Sequence, residues 1–366
     1  MDVFFELIQV ALGLREGLSR RPSDEEWAEI YELSQKQAIA GYLFAAIDKL
    51  SKLGPKPPSP LLYEWIALVE QIKQRNILLN RKCVELMRMF EDAGFESCIL
   101  KGQGNAMLYD VRCKKEEGRC NMALLRQPGD IDIWVKGKRD EIIGFCRSKA
   151  QDCDIQYHHI QFPIWEDVDV EVHFMPSYTE IPRYAKRTKA FFEKFEREEI
   201  DGRKLMSEQG GMYVPSKEMN LVFQMSHMAR HFFGDGVGMR QIMDYYYLLK
   251  YTRGKVNIEK VVDDLRNVGL YRFAGAVMWV LKEVFAAEDE LLIVPVDEKR
   301  GKLLLDEIMK GGNFGHHDKR VSARMKKKSS TLARMIRNLR LVRLFPEEAL
   351  WTPIMGVWYY LKCKGD

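Results

Sequence analysis

A chain of 366 residues with 46% hydrophobic and 30% charged residues carries enough apolar material for a sizeable core, which excludes an intrinsically disordered protein. Its net charge of +4 is too small for this length to mark a nucleic-acid binder by bulk charge, and it says nothing of a local patch. No window holds the ~20 apolar residues a bilayer-spanning helix needs, and the nearest, 350–361, is too short. An acidic second residue and Glu6 inside the first apolar stretch do not fit a secretory leader. Seven cysteines without repeated CxxC spacing fit reduced thiols, so the expectation is a cytoplasmic protein with no membrane partner.

Residues 1–93 read as an N-terminal helical region. Ser23 followed by Asp24, Glu25 and Glu26 has the form of an N-cap with acids in the first turn, and Trp27, Ile30, Tyr31 and Leu33 then recur at helical spacing. Gly54-Pro-Lys-Pro-Pro-Ser-Pro60 breaks the pattern, and a long helix is expected over 60–93. The character changes across 94–215. Short runs rich in β-branched and aromatic residues at 97–100, 131–135, 155–164 and 168–174 predict strands, with helical pattern at 105–111 and 140–150. Residues 216–366 return to helical pattern, first in a run reaching His231, then over 239–251, 258–268 and 271–287. The segment 319–343 holds ten Lys or Arg and no acid, which reads as a solvated helix face rather than an RNA grip, before an aromatic end with Trp351 and Trp358. The whole predicts an α+β fold, with a mixed α/β core between two helical regions.

Pro128-Gly-Asp-Ile-Asp-Ile-Trp-Val135 is the most informative stretch. Residues two apart on a strand share a face, so Asp130 and Asp132 stand side by side while Ile131, Ile133 and Val135 turn to the core. Two carboxylates so placed repel unless a cation neutralises them, and an oxygen-rich site of this kind suits Mg2+ or Mn2+. A second strand repeats the pattern, with Asp169, Glu171 and His173 on one face. Should it lie beside the first, one of its acids completes a three-carboxylate cluster able to hold two metal ions for phosphoryl or nucleotidyl transfer. For that second strand alone, a solvated sheet face explains the alternation equally well. Upstream, Cys98-Ile-Leu-Lys-Gly-Gln-Gly-Asn105 reads as a strand ending in a glycine turn that opens a helix, a place where backbone N–H groups meet phosphate and where Lys101 adds a charge. It is neither a Walker A loop nor a dinucleotide fingerprint.

This order of elements resembles the polymerase β-like nucleotidyltransferases. It is closer still to the bacterial group known as uncharacterised nucleotidyltransferases, through Leu100-Lys-Gly102, Leu108-Tyr109, Arg126 ahead of Gly129-Asp-Ile-Asp132, and Val170-Glu-Val-His173. The likeness continues more loosely through His227, His231, Arg240, Asp244 and Gly311-Gly-Asn-Phe-Gly315. The resemblance implies a polymerase β-like core, a mixed sheet with helices, between N- and C-terminal helical regions. It implies Asp130, Asp132 and Glu171 as catalytic and metal-holding carboxylates for Mg2+ or Mn2+, with Asp169 a less favoured alternative to Glu171. It also implies that Lys101, Gly102, Gln103, Arg126, Gly129 and Arg240 meet ATP or another nucleoside triphosphate. A nucleoside monophosphate would pass to an acceptor, a small molecule or protein more than RNA, and pyrophosphate would leave. One departure stands out, since the wider superfamily has Gly-Ser or Gly-Gly where this chain has Gly102-Gln103. It supports the rival expectation of a binding or regulatory protein without turnover. The insert 111–125 is expected as a loop near the site. Arg240 and Asp244 are spaced for a helix ion pair, unless Arg240 faces the cleft. His227 and His231 lack an HExxH context, and Tyr157-His158-His159 reads as a structural or exposed strand segment.

Overall fold

Ser23 Oγ accepts from the Glu26 N–H at 3.2 Å and the Glu26 carboxylate accepts from the Ser23 N–H at 2.9 Å, so the second helix starts on a reciprocal capping box. The computed structural model describes residues 2–51, 54–109, 121–197, 204–207, 210–318, 320 and 330–363. The N-terminal helices are α1 Asp2–Leu12, α2 Asp24–Lys36, α3 Ala40–Ser51 and α4 Ser59–Asp92. The middle of the chain gives β1 Ser97–Ile99, α5 Gln103–Ala106, β2 Ile131–Val135, α6 Arg139–Lys149, β3 Asp154–Ile155, β4 His159–Gln161, β5 Val170–His173 and α7 Pro182–Arg197. A hairpin, β6 Lys204–Ser207 and β7 Gly210–Tyr213, leads into α8 Lys217–Phe233, α9 Met239–Thr252 and α10 Ile258–Asn267. The last helices are α11 Tyr271–Phe285, α12 Glu298–Gly311, α13 Ser330–Leu339 and α14 Pro346–Cys363. The fold is thus a mostly helical α+β arrangement around one mixed sheet.

That sheet has the order β1-β2-β5-β4-β3. Only the central β2–β5 pair is parallel; β1 runs antiparallel to β2, and β5, β4 and β3 are successively antiparallel. The apolar run at 155–164 does not form one strand. It folds into the β3–β4 hairpin, closed by the Gln156 N–H donating to the His159 carbonyl at 2.9 Å. The helix expected over 105–111 is a single turn, α5, that ends at Ala106.

Helix α4 ties the architecture together. Its 34 residues span about 51 Å at 1.5 Å per residue. Trp65 and Val69, in its first half, join an apolar core that also contains Phe4 and Leu7 of α1 and Phe232, Tyr245 and Val277 of the later helices. Helices from both ends of the chain therefore share one interior. Leu79, Leu86 and Phe90, further along α4, back the sheet through Ile131, Ile133, Val170 and Val172. Among the described residues no helix is long and apolar enough to cross a membrane, and Cys83, Cys98, Cys146 and Cys153 are free thiols. Positions 319 and 321–329 of the basic segment 319–343 lie outside the described residues, as do positions 111–120 of the insert, while 330–339 of the basic segment form α13.

A buried ion pair locks the segment before β2 to helix α9. Arg126 Nε and Nη2 each donate to one oxygen of Asp244 at 2.8 Å, and the Tyr109 hydroxyl donates to Asp244 Oδ1 at 2.7 Å. Both charged side chains are only 5% exposed. Asn76 on α4 donates to the carbonyls of Leu124 and Arg126 at 2.8 Å, and Gly41 on α3 approaches Leu125 so closely that an added Cβ would meet its carbonyl oxygen. Burial alone would raise the Asp244 pKa, but Arg126 holds it below the ordinary carboxylate value. The clamp's contribution is therefore full above pH ~4 and is lost only as pH falls through the depressed folded-state value. Truncating one partner strands a buried charge, so Arg126→Met is expected to cost ~3–5 kcal/mol of unfolding free energy in urea titration. The double change Arg126→Met with Asp244→Leu should recover most of that loss; failure to recover would show that the pair is not the source of the stability.

Candidate functional site

Strands β2 and β5 are neighbours, and in their parallel register Asp132 stands directly opposite Glu171. Ile131 N donates to the Asp169 carbonyl at 2.9 Å, which carries the pairing back to the mouth of the sheet. The strand period of two adds Asp130 and His173 to the same face, while Ile131, Ile133, Val170 and Val172 fill the core behind it. The two acidic motifs, 41 residues apart in sequence at Asp132 and His173, thus become one cluster.

Cations inside the fold meet these acids. Lys101 Nζ lies 2.6 Å from Asp132 Oδ2 and 3.5 Å from Asp130 Oδ2. His173 Nε2 sits 3.0 Å from Asp132 Oδ1 and 3.4 Å from Glu171 Oε2, and Gln161 Nε2 donates to Glu171 Oε1 at 2.9 Å. Burial, then the neighbouring Asp130, pushes the Asp132 pKa up. Lys101 pulls Asp130 down. Burial would raise Glu171, but the His173 hydrogen bond and Lys101 hold it well below the carboxylate range. Lys101 itself is raised, because Asp130, Asp132 and Glu171 outweigh the cost of its burial. A divalent ion fits this donor set. The Asp132 side chain is fully buried, and its Oδ2 is met at 2.6 Å by the Lys101 ammonium, a cation standing where a divalent ion would bind. Asp132, Glu171 and His173 each bring a ligand atom within 4.8 Å of the others, and Asp130, 37% exposed at its side chain, faces the entrance.

An open cleft of ≈ 530 Å³ lies over the cluster, lined by Arg75, Gly129, Asp130, Gln161, Asp169, Glu171, Arg240 and Phe314. Arg240 Nη1 donates to the carbonyls of Gln127 and Pro128 at 3.1 and 3.4 Å, while its buried Nε has no partner. Burial and the nearby Arg126 draw the Arg240 pKa down to about 10, so it stays cationic at neutral pH. Its guanidinium lies 5.5 Å from the Phe314 ring, and Phe314 itself holds φ +52°, a left-handed conformation that is strained for a bulky residue. Gly102 has φ +61° and approaches the Asp130 carbonyl, and with Lys101 it lines the recess leading to Arg240. Asp169 is exposed at the rim.

Other expected contacts are turned elsewhere. The Gln103 amide is buried against α4, donating to Asn80 Oδ1 at 2.6 Å and the Asn76 carbonyl at 3.4 Å, so its side chain does not reach the cleft. Arg126 lines the recess with Lys101, Gly102 and Arg240, but its Nε and Nη2 donate to Asp244 and its Nη1 to the Gln127 carbonyl at 3.2 Å, so it braces that wall. Asp244 therefore serves Arg126 and not its helix neighbour Arg240. His227 and His231 meet edge-to-face with centroids 4.4 Å apart, and burial drives both pKa values down, His231 to about 3. The sequence motifs do not assign Gln161, His159 or Arg75 to the site, and they reach Phe314 only within the loosely matching Gly311–Gly315 stretch. Gln161 and His159 become visible only through pairing of β4 with β5.

The chain matches a family described as uncharacterised nucleotidyltransferase over residues 23–286. Neither a curated protein nor a solved structure matches it.

The Lys101 ammonium competes for the oxygens a divalent ion would take. Lys101→Met is therefore expected to tighten Mn2+ binding in the absence of nucleotide, by roughly tenfold or more given the strength of a close, partly buried charge contact. Electron paramagnetic resonance of free Mn2+ reads this directly. Unchanged or weaker binding would mean that Lys101 and the ion do not share a place.

Proposed function

Because the chain belongs to the uncharacterised nucleotidyltransferase family, we propose that this cleft transfers a nucleoside monophosphate from a nucleoside triphosphate to an acceptor, on a polymerase β-like core. The observation that carries the reading is the register of β2 on β5, which sets Asp132 against Glu171 with Asp130 on the same face. Asp130, Asp132 and Glu171 would hold Mg2+ or Mn2+, which supplies charge neutralisation for the α-phosphate and the departing pyrophosphate. Arg240, with its unpartnered Nε at the cleft wall, meets the triphosphate. Lys101 shifts its charge from the acids toward phosphate when both substrates are bound. Gly102 lets backbone and ligand approach where a side chain would intrude.

In the reaction the acceptor oxygen forms a bond to the α-phosphorus. The bond from that phosphorus to the bridging oxygen breaks, and pyrophosphate leaves with its electron pair. Glu171, whose proton affinity is held low by His173 and Lys101, would help take up the acceptor proton once the Lys101 charge has moved to phosphate. The open cleft and the absence of a large charge excess favour a small-molecule or protein acceptor over RNA. A second reading, nucleotide binding or regulation without turnover, has its own support in Lys101, which already neutralises Asp130 and Asp132 from within.

The two readings part under mutation. Asp130→Asn with Asp132→Asn is expected to reduce transfer of label from α-labelled triphosphate to background while the protein stays folded in thermal melts. A double variant that keeps transfer would overturn the assignment. Arg240→Met, by removing a charge-assisted contact, should weaken triphosphate binding by about 1.5–3 kcal/mol in calorimetry. Unaltered affinity would place the phosphates elsewhere.

A further inference from the structure

Three imidazoles meet behind Glu171. His159 and His173 are direct partners across the antiparallel β4–β5 pair, so their side chains leave the sheet on the same face. His158 enters from the turn before β4. The three are 7%, 5% and 4% exposed in the order His158, His159, His173, so they are buried rather than displayed on an exposed strand. Their ring centroids are 4.4 to 5.2 Å apart, and one ring nitrogen from each lies within 4.8 Å of the other two.

The hydrogen bonds around these rings follow a recognisable logic. His173 Nε2 is given to Asp132 Oδ1 at 3.0 Å, while His173 Nδ1 is buried with no partner. His159 Nε2 faces Glu171 Oε1 at 3.6 Å, while its Nδ1 faces His158 Nε2 at 3.2 Å. A histidine that ligates a metal through one nitrogen commonly gives the other to a carboxylate, which fixes the ring and raises its basicity. His173 has that arrangement through Asp132, whereas His159 Nε2 is met by the Gln161 amide at 3.2 Å, with the Glu171 carboxylate beyond it at 3.6 Å. Two nitrogens bound to one tetrahedral ion at ~2.1 Å stand roughly 3.3 Å apart, which matches the His158–His159 spacing. Arg230 opposes a cation here, since its Nη1 is 3.4 Å from His158 Nε2, but its guanidinium stacks on Tyr178 and the Glu171 carboxylate offsets it from the other side.

We propose that His158, His159 and His173 form a nitrogen-rich site for a borderline-soft divalent ion of the zinc class, separate from the oxygen-rich set on Asp130 and Asp132. Imidazole donors favour such ions, whereas Mg2+ favours oxygen. The ion's role would be positional. Held by His159 and His173, it would fix the two rings that hydrogen-bond or face Asp132 and Glu171, and through them the carboxylates themselves. The site does not depend on nucleotide transfer for its existence, and it stands or falls by metal binding alone.

The test uses the full chain stripped of metal and titrated with Co2+ as a visible probe. The expected result is an intense visible absorption that saturates at one equivalent and is displaced by Zn2+. His158→Gln with His159→Gln should weaken that binding by about 100-fold, while Asp130→Asn leaves the spectrum in place. A pale octahedral spectrum, or one lost with Asp130→Asn and kept by the histidine variant, overturns the proposal. Should the histidine variant fail to fold, X-ray absorption at the zinc edge of the unaltered protein decides, because three imidazoles give characteristic outer-shell scattering and its absence rules the site out.

Discussion

Buried like charge is the constraint on which the rest of this structure depends. Asp132 is wholly enclosed and stands against Glu171 across a parallel strand pair, with Asp130 two residues away on the same face. Desolvation and mutual repulsion both work against ionising such a group, and the fold answers with Lys101 and His173 on either side of Asp132. Carboxylates arranged this way gain nothing for the stability of a sheet that apolar residues would not supply at less cost. Their persistence makes sense for a site that takes up cations and, with them, phosphate.

Around that cluster the helices act as a frame. Helix α4 bridges the helical interior and the back of the sheet, with Asn76 holding the strand-entry segment and Asn80 holding Gln103 along its length. The Arg126–Asp244–Tyr109 clamp then fixes that segment against α9, the helix that also delivers Arg240 to the cleft. The positions of Arg240 and of the acids are therefore set by the same packing. Pairing among charges is what separates the roles of Arg126 and Arg240, which the sequence pattern alone treats alike.

Much of the candidate site is legible in the sequence, because its chemistry is local. The Gly-Asp-Ile-Asp alternation fixes a strand and a face, and β2 spans the same residues, 131–135, that the pattern assigns. The long helix expected over 60–93 is α4, Ser59–Asp92. What the pattern could not carry was the direction of side chains and the long-range register. Gln103 sits at the right point in the chain for a phosphate turn, yet α5 is one turn long and presents that side chain to α4. The β3–β4 hairpin was invisible because its turn at Gln156 to His158 contains neither Gly nor Pro. With the hairpin went the pairing that brings His159 and Gln161 to Glu171. A resemblance to the family supplied the order of the motifs, and only the fold showed which residues spend their hydrogen bonds on one another.

The acid cluster and the cleft above it are proposed to form a metal-dependent nucleotide site. Thermal melts of the full chain with ATP, GTP, CTP and UTP, each with and without Mg2+, test it most directly, because a ligand bound to the native state raises the melting temperature by mass action. The expected result is a rise with at least one triphosphate that requires Mg2+ and disappears in Asp130→Asn. No rise with any nucleotide at millimolar concentration, or a rise indifferent to both Mg2+ and Asp130, would contradict it.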